Sequence, residues 1–171
     1  MDKVGKAIVV LLLMLISAFF GGGWIFSGFY MATDAMEGAI GKGDLVLVNR
    51  LALGSRDPKR GEVVVFRIPG EEGSTIRRVI GLPGETVEMR ASELFINGAR
   101  VEEPWLVSPS KEGPAVEVIQ PISFGPFTVG ENKYFLVGDD RTKGNDSRTF
   151  GAVQREQIYG TIWGLFGPLT F

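Results

Sequence analysis

The chain contains no histidine and no cysteine, so any chemistry it performs rests on hydroxyls, amines, carboxylates and guanidinium groups. That excludes thiol nucleophiles, disulfides, Cys/His zinc sites and every Ser-His-Asp mechanism, because the imidazole that would carry the proton is missing. No metal and no cofactor are expected. The side chains that could still do chemistry fall in three stretches. In "TDAMEGAIGKGD", Thr33 is the one hydroxyl able to attack a carbonyl, with Asp34, Glu37 and Lys42 nearby in sequence. Asp34 also reads as a turn-capping acid and Lys42 as a solvated amine, and no pair here has the look of an activated dyad. Arg77 and Arg78 are adjacent; strand neighbours point to opposite faces, so both cannot enter one site. In "GDDRTKGNDSRTFG", Asp146 and Arg148 are two apart and can pair directly or through Arg78.

These stretches need elements to hold them. "DLVLVN", "EVVVFR" and "STIRRVIG" are rich in β-branched residues and bounded by Gly, Pro or Asp, the mark of short strands. "TVEMR" and "ELFING" follow, and Asn97-Gly98 is the best hairpin turn, since type I′ geometry needs positive φ at both positions. "KYFLVG" predicts another strand, leading into a polar loop; "VQREQI" reads as a helical turn and "YGTIWGLFG" as a closing strand. Pro109, Pro114, Pro121 and Pro126 make residues 108–126 an irregular surface loop.

The 171 residues suffice for one domain with a core plus an appendage, and 44% hydrophobic with 22% charged residues exclude disorder. A net charge of −2 gives no reason to expect nucleic acid as a partner. Between Lys6 and Asp34 no charged residue appears. Ala7 to Tyr30 supplies the ~20 apolar residues that a bilayer core requires. Lys3 and Lys6 at its start place the amino terminus in the cytoplasm. A cleaved signal peptide ending at Gly21–Gly23 is the competing reading. The aromatics of "WIFSGFY" suit an interfacial belt, which favours an uncleaved anchor. The expected division is residues 1–30 as cytoplasmic terminus and transmembrane anchor, and 31–171 as an extracytoplasmic β domain.

Three motifs in order resemble the bacterial type I signal peptidases of the Ser/Lys class. "TDAMEGAIGKGDLVLVN" is similar to that family's Ser-x-Ser-Met-x-Pro-Thr-Leu box with its following Gly-Asp and strand. "RRVIGLPGE" is close to Lys-Arg-Val-Ile-Gly-Leu-Pro-Gly-Asp, and "GDDRTKGNDSRTFG" matches Gly-Asp-Asn-Arg-x-x-Ser-x-Asp-Ser-Arg-x-x-Gly. The likeness covers nearly the whole chain. It implies a mainly β fold: an antiparallel sheet domain of the signal peptidase type behind one N-terminal transmembrane helix, at the outer membrane surface. Its members cleave signal peptides of exported proteins after small residues, using a serine nucleophile and a buried neutral lysine base steadied by a further hydroxyl.

At those positions this chain departs. The nucleophile falls on Ala35, the general base on Arg77 and the base-orienting hydroxyl on Gly144, while Pro-Thr of the first box becomes Gly38-Ala39. No serine lies between Ser27 and Ser55 and no lysine between Lys59 and Lys111, so sliding the boxes rescues neither group. Arginine stays protonated at neutral pH and cannot serve as the base. Losing a hydrolase nucleophile costs on the order of 10⁶ in rate, roughly 8 kcal/mol of barrier. What matches is framework: Arg78, Asp139, Arg141, Asp146, Ser147 and Arg148 suit turns and ion pairs. By the resemblance, Thr33 stands where some members carry an oxyanion-stabilising hydroxyl, and Met36 where a methionine floors the substrate groove; a surface threonine and a core methionine are the plainer alternatives.

The expectation is therefore a pseudoenzyme that keeps the scaffold and a groove for signal peptides, exported preproteins or a membrane or surface-assembly protein. The alternative is an active signal peptidase with other groups, Thr33 foremost.

Overall fold

Branched and aromatic residues between turn formers become strands because they pack well on a pleated surface. The structure is a computed structural model describing residues 26–68, 70, 73–106 and 121–167, together with the helical positions Gly5, Ile8, Leu11, Leu12 and Leu15. Its strands are β1 (Phe26–Tyr30), β2 (Leu45–Asn49), β3 (Val63–Phe66), β4 (Thr75–Gly81), β5 (Thr86–Arg90) and β6 (Glu93–Ile96). There follow β7 (Ala99–Val101), β8 (Phe124–Thr128), β9 (Lys133–Val137), β10 (Val153–Gln154) and β11 (Ile158–Phe166). A single-turn helix, α1 (Ser147–Phe150), and a 3-10 turn at Arg155–Gln157 complete the described elements.

The strands form two antiparallel sheets. The larger has the order β1-β2-β11-β3-β4-β9-β10, and the smaller β7-β6-β5-β8. Alternate residues of one strand feed opposite faces. Val64 and Phe66 of β3 join Leu53, Val79 and Leu136 in one cluster, while Val65 turns to Met31, Met36, Val46 and Ile76 in another. On β9, Leu136 goes to the first cluster and Phe135 and Val137 to a third with Ile80, Val87 and Met89 under the small sheet. The larger sheet is covered on both faces, which is why "VVVF" and "YFLV" read as unbroken apolar runs rather than alternations.

Asn97 and Gly98 both have positive φ, 51° and 81°, and join β6 to β7 as expected. A second two-residue hairpin joins β5 to β6 through Ala91 and Ser92, at φ 49° and 68°. Sequence gave no sign of it, since neither residue favours the left-handed region.

Four expectations need correction. Phe26–Tyr30, assigned to the anchor and its aromatic belt, is an edge strand in full register with β2, from Phe26–Asn49 to Tyr30–Leu45. An apolar run cannot by itself separate strand from helix. Residues 107–120 of the proline-rich loop lie outside the described residues, but its end is not irregular: Phe124–Thr128 is β8, an edge strand where Pro126 is tolerated. The polar loop after β9 contains α1, with the Asp146 side chain accepting from the Arg148 amide as its N-cap. "VQREQI" opens as β10, paired with β9, before its 3-10 turn. The rest of the anchor stretch falls mostly outside the described residues. Among the described residues no helix is long and apolar enough to cross a membrane. The helical side chains Ile8, Leu11, Leu12 and Leu15 are each exposed.

Candidate functional site

The connection from β1 to β2 is closed on itself. Met31 N–H donates to Asp44 O, Gly43 N–H donates to Met31 O, and the Asp44 carboxylate caps the Gly41 amide at 2.8 Å. Residues 31–44 therefore form a pinned loop that carries Thr33, Asp34, Ala35 and Met36. The loop after β9 docks onto it. Asp140 N–H donates to Ala35 O at 3.2 Å, and Lys143 Nζ lies 3.1 Å from an Asp34 oxygen. Gly138 makes this approach sterically feasible: a Cβ there would stand 2.5 Å from Ala35 O. The first and third motifs thus meet through backbone and through the Lys143–Asp34 ion pair.

β4 supplies the two arginines, on opposite faces as strand geometry requires. Arg78 pairs with Asp139 in a two-pronged contact of 2.8 and 2.5 Å, donates to Gly61 O, and lies 5.6 Å from the Trp105 ring centroid. Arg141 is clasped by Glu103 and donates to Gly138 O. Arg148 binds both oxygens of Asp146 and the carbonyls of Arg141 and Lys143. Ser147 Oγ accepts from the Leu136 amide, tying α1 to β9. These residues, read from sequence as framework, brace the 138–148 loop.

Arg77 is different. Only 3% of it is exposed, yet its hydrogen bonds go to neutral acceptors: Asn145 O at 2.7 and 3.1 Å, Ile76 O at 2.6 Å and Thr75 Oγ1 at 3.1 Å. Burial pushes its guanidinium below the ordinary value, an effect that Asp146 opposes and Arg148 reinforces; it remains a cation.

A cleft of about 90 Å³ opens between residues 29–33 and residues 74–76, with Val65 completing its lining. Two strand edges face this region. β1 is the terminal strand of its sheet, and β9 pairs with β4 only from Arg78 to Gly81, leaving one edge of Thr75 to Arg77 without a strand neighbour among the described residues. Thr33 lines the cleft and is exposed. Met36 does not line it: it is fully buried in the core with Met31, Val46 and Val65, as the core-methionine alternative expects. Met31, two residues before Thr33, is buried yet lines the cleft, and sequence reasoning did not single it out. Ala35 is buried and presents a methyl group.

Among the described residues no hydrogen bond joins Thr33 to an amine or a carboxylate. Asp34 is engaged by Lys143, which holds the carboxyl below its ordinary range, and in return Asp34 raises the Lys143 amine. A general base needs the opposite shift, toward a neutral amine at pH 7. Gly144 offers no hydroxyl, though a Cβ there would meet only Thr149 Oγ1 at 3.9 Å. Gly38 has φ 103°, a conformation no proline can adopt. No group of His, Cys, Asp and Glu able to hold a metal occurs among the described residues.

The sequence model described as "Signal peptidase, peptidase S26" matches residues 3–165. Signal peptidase I of Bacillus licheniformis is 36% identical over 168 residues, covering 95% of this chain and 87% of that protein. Signal peptidase I T of Bacillus subtilis is 35% identical over 167 residues, covering 96% and 84%. The crystal structure of a signal peptidase I from Enterococcus faecalis V583 superposes with a TM-score of 0.53 at 34% identity, over 62% of this chain and 97% of that one.

Proposed function

We propose that this chain, which belongs to the signal peptidase family S26, is a member that binds signal peptides or exported segments without cleaving them. One observation carries the reading: the position that matches the family's lysine base holds Arg77, a buried guanidinium fixed on main-chain carbonyls. It cannot accept a proton from a nucleophile, and Ala35 provides none. Two open strand edges flanking a cleft suit an extended peptide that adds main-chain hydrogen bonds to the sheet. In this reading the apolar stretch before Phe26 anchors the protein with its amino terminus in the cytoplasm, and the β domain stands outside the membrane. Its partners are signal peptides and preproteins, or a membrane protein of surface assembly.

The test is incubation of the full chain with a crosslinkable preprotein. Crosslinking without cleavage is expected, and steady release of mature product that vanishes in Thr33→Ala would establish active cleavage by other groups instead. Reconstruction probes the cause. Ala35→Ser, Arg77→Lys and Gly144→Ser together should restore measurable cleavage, because a side chain at 144 meets only ordinary contacts. Gly38 is kept, since its φ excludes the family's proline.

A further inference from the structure

The charged groups around the third motif are not all paired. Arg78 is matched by Asp139 and Arg141 by Glu103. Arg148 and Arg77 have one acid between them, Asp146, and both its oxygens are taken by Arg148. With both oxygens committed to Arg148, no carboxylate touches Arg77 among the described residues; Asp140 accepts from Thr142 and Lys143 pairs with Asp34. Burying an uncompensated charge is costly unless an anion accompanies it.

The path to that charge leads through the cleft. Arg77 Nη1 donates to Thr75 Oγ1, so the hydroxyl proton of Thr75 is free to point elsewhere, and Thr75 lines the cleft. No hydrogen bond donated by Thr75 occurs among the described residues. A hydroxyl that accepts from a guanidinium is a strengthened donor, since hydrogen bonds in series polarise one another. Thr33 places a second hydroxyl on the opposite wall. Two hydroxyl donors with a buried cation behind one of them suit a carboxylate.

We propose that the cleft is a receptor for the free C-terminal carboxylate of a peptide, held by Thr75 backed by Arg77. The inference rests on the peptide-binding reading above and sharpens it. The preferred ligand is a peptide already cut, such as a released signal peptide, rather than an uncut precursor, whose neutral amide at the same place gains nothing from the charge.

The test uses the full chain in detergent micelles and an N-terminally fluorescent peptide ending in Ala-Leu-Ala. It is made with a free carboxylate, with a carboxamide, and with four further residues, and binding is read by anisotropy. The carboxylate form should bind at least about tenfold more tightly than the other two, the advantage of a charge-assisted hydrogen bond. Thr75→Val and Arg77→Gln should each bring that preference below about twofold. The comparison in the unaltered protein needs no variant to fold. Equal binding of acid and amide, or a preference that survives both substitutions, would overturn the carboxylate receptor and leave the groove standing. Binding of none of the three peptides would overturn both.

Discussion

Asp139→Ala is the substitution with the largest expected effect on stability away from the cleft. The Arg78 and Asp139 side chains are 8% and 3% exposed, and they meet through two hydrogen bonds. Without the carboxylate, Arg78 keeps only Gly61 O and the face of Trp105. Breaking a buried pair from one side costs about 3–5 kcal/mol, because the surviving charge stays buried without its partner. Domains of this kind have about 5–15 kcal/mol in total, so the variant should lose roughly a fifth or more of its stability. Arg78→Met should cost a comparable amount by stranding Asp139. The double variant Arg78→Met with Asp139→Leu removes both charges at near-constant volume, and it should fall short of the sum of the singles by about 2 kcal/mol or more. Urea unfolding of the micelle-solubilised chain, followed by tryptophan fluorescence, measures all three. Additive costs, or single losses below about 1 kcal/mol, would refute the claim that this pair is dry and mutually dependent.

Gly138→Ala should destabilise by about 1–3 kcal/mol, since its methyl would lie 2.5 Å from a backbone oxygen that cannot swing away; a thermal scan should show the midpoint fall by several degrees. Ala91→Asn should stabilise by about 0.5–1 kcal/mol, because asparagine tolerates the left-handed backbone that Ala91 holds at φ 49°; the same scan checks it. Lys143 lowers the Asp34 carboxyl, so the stabilisation that this contact gives is complete above the ordinary value near ~3.9 and is lost as pH falls through the depressed one. A carbon-detected NMR titration should place the Asp34 midpoint below that ordinary value, and Lys143→Gln should move it back toward it, short of full return because a backbone hydrogen bond and Lys42 also lower it.

Strands built from branched runs between turn formers were legible, as β2, β3, β4 and β9 show, because both faces of their sheet are buried and apolar composition alone marks them. β1 was hidden by its context: "FSGFY" continues an apolar run, and only its pairing with β2, a long-range fact, makes it a strand. β8 was hidden behind prolines, and α1 is a single turn held by Asp146 rather than by helical periodicity. In the site, types and spacing were enough to mark Ala35, Arg77 and Gly144 as departures, through resemblance. They could not tell which acid Arg78 takes or that Arg148 engages both oxygens of Asp146. Nor could they show that Met36 turns into the core while Met31 reaches the cleft. Those outcomes depend on how two loops meet, which no local pattern encodes.

The φ of 103° at Gly38 sets this position apart from its neighbours in the site. A main chain held in this bend has no place for a proline ring until it takes a different path. A new side chain at 35, 77 or 144 asks for no such rerouting, so position 38 is where the backbone, not the side chains, limits what the loop can become.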